Sequence, residues 1–473
     1  MSNELGGRTG DRDIHDFRTR RSGSLGRTSS TGSSMRRSSF SLSGPAIHPQ
    51  LDEDLESRIV SEAGDIGDRA LSSRTHSRSS SARFSFDHVS EKGFGACIPE
   101  DILTSYEVSD VRPSPIEIIS PLSTDGILVS EDKEQDGEKP WEQWWPLFEH
   151  ISCLVHLAVF GILGVITRYL LQKLCGPGII NVTSDKSVLY LDLPSNMVGS
   201  FLMGWLGVVF KGDISKFSDL LAIGLTTGYL GSLTTFSGWN QAMLNLSVTG
   251  HWIFTALGFL ISMLLSAQCI ILGVHAAKGF RLILRRLKLV SVNGFCCWNS
   301  ERKVDSHKFQ LIVFVLLLMI WVFLVVLSGV LERKEFGNGG SEAQLWLACL
   351  VAPPGVWIRW WLSRLNGQGL GSRGLLKWVP FGTLMANVSA ACIMAALATI
   401  KKEVNTHRSI TVASGIQLGF LGCLSTVSTF IAEYRAMTLS SHSWRADAYA
   451  SITIIVSFAL GTLIYSVPVW VKG

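Results

Sequence analysis

One short stretch occurs twice in this chain, and no packing scheme can ignore it. Gly231-Ser-Leu-Thr-Thr-Phe-Ser is answered by Gly422-Cys-Leu-Ser-Thr-Val-Ser, an offset of 191 residues. With that offset fixed and no gap, Arg168 falls on Arg359, Asn196 on Asn387, Gly224 on Gly415, Gly228 on Gly419 and Ser237 on Ser428. A single offset across separate segments marks an internal duplication. Each copy lies inside an apolar segment long enough to cross a bilayer, such as residues 220–246, yet its centre is Gly, Ser and Thr. Unpaired backbone in hydrocarbon costs several kcal/mol per group, so such a break is tolerated only along a cavity or a protein interface.

The chain is 47% hydrophobic and 17% charged, an average over two unlike parts. Residues 1–140 are rich in Ser, Arg and acidic residues, with clusters such as Arg20-Arg21-Ser22 and Arg36-Arg37-Ser38. That composition reads as a disordered cytoplasmic tail, and Arg ahead of Ser suits kinases as partners. The remainder is membrane-grade sequence. Spans are expected near 151–172, 194–210, 219–246 and 251–275, then a lone apolar run at 311–331, then 343–362, 376–400, 410–437 and 447–468. The expected fold is an all-α polytopic membrane protein of about nine spans. The domains are a tail (1–140), a first repeat (141–276), a basic cytoplasmic loop (277–308), a linker transmembrane helix (309–331) and a second repeat (343–470).

Four spans return a chain to its starting side, so the single linker helix makes the two four-helix repeats antiparallel. The first apolar run begins near Ile151, so the first span serves as its own insertion signal. The basic 276–308 loop places the N-terminus in the cytoplasm and the C-terminus outside. Asn181 then heads an external glycosylation sequon, and Cys296 and Cys297 are palmitoylation candidates beside the basic loop. No nucleophile–base pair, P-loop or dinucleotide fingerprint is visible, which leaves an enzyme or a nucleic-acid binder little to stand on.

The duplicated polar residues carry the chemistry. Arg168 and Arg359 could snorkel to headgroups, but their matched settings favour a structural or vestibule role that attracts an anion loosely. Asn196 and Asn387 each offer two N–H donors, to a neighbouring helix or to an anion. Thr235, Ser237, Thr426 and Ser428 supply hydroxyls, and aromatic ring edges carry partial positive charge. Glu433 is the one acid well inside the spans, with Ala242 at the equivalent position. A cation exporter would want a carboxylate in each half; this lining suits an anion. The rival is a small inverted-repeat secondary transporter of an organic cation or metabolite; a tail-recruiting membrane scaffold would leave the duplicated constellation unexplained.

GVITRY (164–169), SNMVGSFLMG (195–204) and GYLGSLTTFS (228–237), with the weaker copies GVWIRW, ANVSAA and LGCLSTVSTF, resemble the fluoride channel family (Fluc/FEX), specifically its two-domain eukaryotic exporters. The resemblance covers about 150–470. It implies a passive fluoride channel of the plasma membrane, a monomeric pseudo-dimer whose broken third helices cross at the centre. It further implies a structural Na+ held by backbone carbonyls of Gly231, Thr234, Gly422 and Ser425, and no organic cofactor. Family channels pair two Phe residues per pore, one from each repeat. Here those positions pair Phe236 with Phe430, and Val427 with Trp239, so one working pore and one vestigial pore are expected. The sequence assigns neither Asn to the working pore.

Overall fold

The computed structural model describes residues 140–287, 307–337, 340–369 and 376–472. The Ser/Arg tail, Cys296, Cys297 and most of the basic loop lie outside the described residues. Within them every regular element is helical.

The first repeat consists of α1 (Pro140–Cys175), α2 (Leu193–Leu202), a broken pair and α5 (Trp252–Arg286). A wide turn at Met203–Val209 prolongs α2. The broken pair is α3, starting at Asp219–Ile223 and running through a wide turn to Gly231–Leu233, and α4 (Phe236–Val248). The linker α6 (His307–Glu335) leads to α7 (Ser341–Leu362) and α8 (Phe381–Val404). A second broken pair follows, α9 (from His407–Ile416 to Gly422–Leu424) and α10 (Ser428–Thr438). The last helix, α11, starts as Trp444–Gly461 and continues through Thr462–Ser466 to Val467–Lys472.

Seven helices are long and apolar enough to cross a membrane, counting the second broken pair as one; α2 with its wide turn is a shorter apolar helix. The first broken pair completes the arrangement of a multi-pass membrane protein. The linker α6 is the most apolar segment, with mean hydropathy 3.3 and almost no buried surface. Its inward contacts include Phe314 on Phe148 of α1 and Trp321 on Trp357 of α7, with Leu324 and the buried Ser328 on the same side. It therefore bridges the first helices of both repeats while showing the rest of its surface to lipid.

The two repeats run in opposite directions. Near the end of α1, Tyr169 Oη donates to Ser341 Oγ at the start of α7 (3.0 Å), while His150 near the start of α1 stacks on Trp360 near the end of α7. Small residues let these helices close on the broken ones. A Cβ on Gly164 would lie 2.6 Å from the Tyr229 carbonyl, and one on its equivalent Gly355 would meet the Phe420 carbonyl. Those partners are themselves 191 residues apart, so the duplication extends to individual contacts.

Contacts between helix ends sort onto two faces. Trp145 on His307, Arg281 with Asp213 (2.6 Å) and Trp378 on Trp444 mark one face. Lys173 near Glu342 (3.9 Å), Trp252 on Trp470 and Lys472 with Glu403 mark the other.

Candidate anion pathway at the crossed breaks

Both third helices break where the hydroxyl run begins. Thr234 and Thr235 are extended (φ −97°, ψ 150°; φ −144°, ψ 125°), and so is Ser425 (φ −91°, ψ 160°). Each break frees the first N–H groups of the helix beyond it, which must find acceptors away from water. The other repeat supplies them. Ser425 Oγ accepts from Ser237 N (3.0 Å) at the head of α4, and the equivalent Thr234 Oγ1 accepts from Val427 N (3.1 Å) and Ser428 N (3.0 Å) at the head of α10. The halves thus cap one another's helices reciprocally.

The remaining hydroxyls of the run serve the same crossing. Ser237 Oγ donates to Leu421 O (3.3 Å), and its equivalent Ser428 Oγ donates to Leu230 O (3.2 Å). Thr235 Oγ1 meets Ser425 Oγ at 3.1 Å, and Thr426 Oγ1 meets Thr234 Oγ1 at 3.2 Å. Thr235, Ser237, Thr426 and Ser428, expected from the sequence as pore hydroxyls, are fully buried and engaged in joining the two repeats.

Asn196 and Asn387 hold the breaks open. Asn196 Oδ1 accepts from Thr235 N (2.8 Å) while its Nδ2 donates to Thr235 O (3.2 Å), replacing the ladder the chain lost there. Asn387 does the same with Thr426 (2.8 and 3.1 Å). The two differ in one respect. The second N–H of Asn196 donates to Tyr190 Oη (2.9 Å), whereas position 381, equivalent to 190, is Phe. No protein acceptor for the second N–H of Asn387 is found among the described residues.

Of the structural and vestibule roles expected for the arginines, their contacts are structural. Arg168 and Arg359 are buried (1% and 5% exposed). Arg359 Nη1 donates to Gly231 O (2.5 Å) and reaches Ser425 O (3.4 Å), while Nη2 donates to Thr227 O (2.5 Å). Arg168 donates to the equivalent carbonyls, Gly422 O (2.9 Å) and Leu418 O. The wide turns preceding each break leave carbonyls without helical partners, and a five-donor guanidinium is suited to gathering them. Gly231 and Gly422 carry no side chain because the guanidinium lies where a Cβ would be.

Beside this crossing lies an aromatic group. Phe236 and Phe430, both fully buried, meet edge to face with centroids 5.9 Å apart. Trp239 packs on Phe236 (5.5 Å), and Tyr449 packs on Phe430 (5.3 Å). Val427 joins the same apolar cluster. The structure therefore brings Phe236 and Phe430 together, while Trp239 turns its other face to Phe259 of α5.

Sequence reading missed the polar lining next to these rings. Tyr449, Thr453 and Ser457 recur at helical spacing on one face of α11, all buried. Tyr449 Oη donates to Glu433 Oε2 (2.7 Å), and Glu433 Oε1 accepts from Thr383 Oγ1 (2.6 Å) and Asn366 Nδ2 (3.4 Å). The acid well inside the spans is thus satisfied by neutral donors from three helices or loops. The spacing of 449, 453 and 457 was a visible signal, hidden by the ordinary use of Ser and Thr inside helices.

Two inverted four-helix repeats crossing at broken helices, with buried polar groups at the crossing, define an inverted-repeat membrane transport protein. The family model described as "CrcB-like protein, Camphor Resistance (CrcB)" matches twice, at residues 155–274 and 346–465. The two matches are displaced by the same 191 residues and together span about half of the chain. The chain belongs to this family. It is 35% identical over 125 residues to a fluoride-specific ion channel FluC of Geobacter metallireducens, covering 26% of this chain and 96% of that protein. It is 25% identical to fluoride export protein 1 of Candida albicans (70% of this chain, 82% of that protein). It is 23% identical to fluoride export protein 1 of Saccharomyces cerevisiae (68% and 94%). No solved structure matches the chain significantly.

Proposed function

We propose that this protein is a passive, selective fluoride channel that releases the ion from the cytoplasm across the plasma membrane, through one working pathway. The observation that carries the reading is the edge-to-face pair of Phe236 and Phe430 beside the crossed breaks, with the Tyr449–Thr453–Ser457 hydroxyls along its flank. A small anion that sheds water is stabilised by donors and by ring edges aimed at it in a water-poor passage. No charged side chain is needed to bind it, which keeps residence short.

Asn387, with one N–H uncommitted, is the amide that can donate to the ion, whereas Tyr190 occupies the corresponding donor of Asn196. The second pathway has Val427 in place of a ring and is vestigial. The relatives' names, fluoride-specific ion channel and fluoride export protein, support the substrate. Hydrogen fluoride enters cells as a neutral acid and dissociates, so an anion channel drains it at about 2.3 kcal/mol per 100 mV of inside-negative potential. We place the N-terminus in the cytoplasm and the C-terminus outside, following the basic loop.

A structural Na+ at the crossing fits the donors present. Gly231 O and Ser425 O, from different repeats, converge on the single Nη1 of Arg359, and each carbonyl oxygen has a second lone pair. The carbonyls of Gly231, Thr234, Gly422 and Ser425 would hold the ion, and its charge would tie the two breaks together.

The test is fluoride release from liposomes holding the purified protein, with a potassium ionophore clamping the voltage and chloride as control. Fluoride should leave while chloride stays. Phe430→Ile should abolish release and Val427→Ala should leave it intact. Retention of fluoride by well-folded protein would refute the reading.

A further inference from the structure

The half-helix after the second break, α10, carries a cation that nothing neutralises. Arg435 stands one turn before its end, half-buried, and its Nη1 is sealed from solvent with no hydrogen-bond partner. No ion pair or side-chain hydrogen bond reaches Arg435 among the described residues. Other arginines of the core behave differently: Arg168 and Arg359 gather carbonyls, and Arg281 pairs with Asp213. A guanidinium near a helix end can snorkel to water, but snorkelling exposes the terminal nitrogens, and here one of them is the sealed atom. An unpaired charged donor in a dry interior is costlier than a neutral one, so Nη1 calls for an acceptor.

Register places Arg435 on the second pathway. Val427 at the head of α10, Ile431 and Arg435 follow at intervals of four and share one face. Val427 is the residue that stands in place of a ring, so Arg435 lies two turns further along the same pathway. That is the end of α10 nearer the face marked by Arg281 with Asp213 and Trp378 on Trp444, which we place in the cytoplasm. Here α10 packs on α5, whose buried Ser262 and Ser266 keep the middle of the pathway polar. The next residues at the same spacing on α5, Ile270 and Val274, are apolar and buried. Cα–Cβ bonds tilt toward a helix's N-terminus, so the Arg435 side chain starts back toward Ile431, and the burial of Nη1 agrees.

The equivalent place on α4 is filled by an aliphatic residue. Leu244 is fully buried in a cluster with Ala395, Ala398 and Tyr465. Packing at this point of the fold therefore does not require a charge.

We infer that Arg435 holds a small inorganic anion, of halide size, at the inner end of the second pathway. The ion accepts from Nη1 in a water-poor setting, where a charge-assisted hydrogen bond is strong. An oxyanion would use the whole fork of a guanidinium; a single sealed nitrogen suits a monatomic ion. Conduction requires binding weak enough for the ion to leave. The working pathway keeps to neutral donors, whereas a desolvated guanidinium retains its ion, so this end of the second pathway is a resting site and not a way through. The inference goes beyond the channel reading and does not depend on which ion the working pathway carries.

The test is thermal unfolding of the purified protein in detergent, with chloride as the probe, replacing gluconate at constant sodium and ionic strength. Chloride is the ion the working pathway should exclude, so its effect reports on another site. The unfolding temperature of the wild type should rise by about 2 °C or more and then saturate, as for an ion that binds only the folded state. Arg435→Leu, which installs the side chain found at the equivalent position of the first repeat, and Arg435→Met should each show no such rise. A wild type indifferent to chloride, or an equal rise in either folded variant, would overturn the inference. Loss of folded protein in both variants would make the guanidinium structural and overturn it as well. Absence of fluoride release in the liposome assay would refute the channel reading and leave this site standing.

Discussion

At the scale of single residues, the polar groups of the duplicated stretch divide into those that build the crossing and those that remain free. Thr234 and Ser425 cap helices of the opposite repeat, so replacing either leaves N–H groups without acceptors in a dry interior. Thr234→Val or Ser425→Ala should each cost about 1–2 kcal/mol, read as a lower unfolding temperature in detergent. Both substitutions together should cost less than the sum if the caps form one network. The sequence showed that these hydroxyls face protein rather than lipid, but could not show that they cross over. A capping partner 191 residues away leaves no local signature. Asp192 offers a different test. It sits just before α2, where burial pushes its carboxyl above the ordinary 3.8, against the pull of Arg168 and the hydrogen bond from Gln172. A carboxyl whose folded value is raised destabilises the fold once pH exceeds its unfolded value, and the cost vanishes in acid. Asp192→Asn should therefore raise the unfolding temperature at neutral pH, with a gain that shrinks as pH falls toward 4.

Among the elements, the broken helices and the linker were the most legible and the last helix the least. Glycines and hydroxyls inside an apolar run announced a break near residue 231, and the chain departs from helix at Thr234 and Thr235. The helix adjoining the rings was opaque: Tyr449, Thr453 and Ser457 look like the small polar residues any membrane helix uses for packing. The arginines were half legible. Their pairing across repeats was evident and left a structural role and an anion vestibule both open, and only the wide turns beside them exposed the carbonyls they bind. A lysine cannot gather several carbonyls in one plane. Arg359→Lys should accordingly lower the yield of monodisperse protein, and Arg168→Lys should do the same, because each guanidinium binds the opposite repeat.

For the whole molecule, the decisive feature is that neither repeat satisfies its own broken helix alone. Each supplies the other with hydroxyl caps and a guanidinium, so the halves must insert in opposite directions before either is complete. In a single chain that outcome depends on α6, which crosses once and touches both α1 and α7 through Phe314 and Trp321. Its composition carries little information beyond apolarity, with mean hydropathy 3.3. Its topological effect follows from parity alone. Deleting residues 309–331 should leave both repeats with the same orientation, unable to exchange caps, and the protein should lose fluoride release. Replacing α6 with an unrelated single-span helix of similar length should restore release, because one crossing is what the fold requires. Full release from the deletion would show that the second repeat can invert without its linker, and that cross-capping is strong enough to set topology by itself.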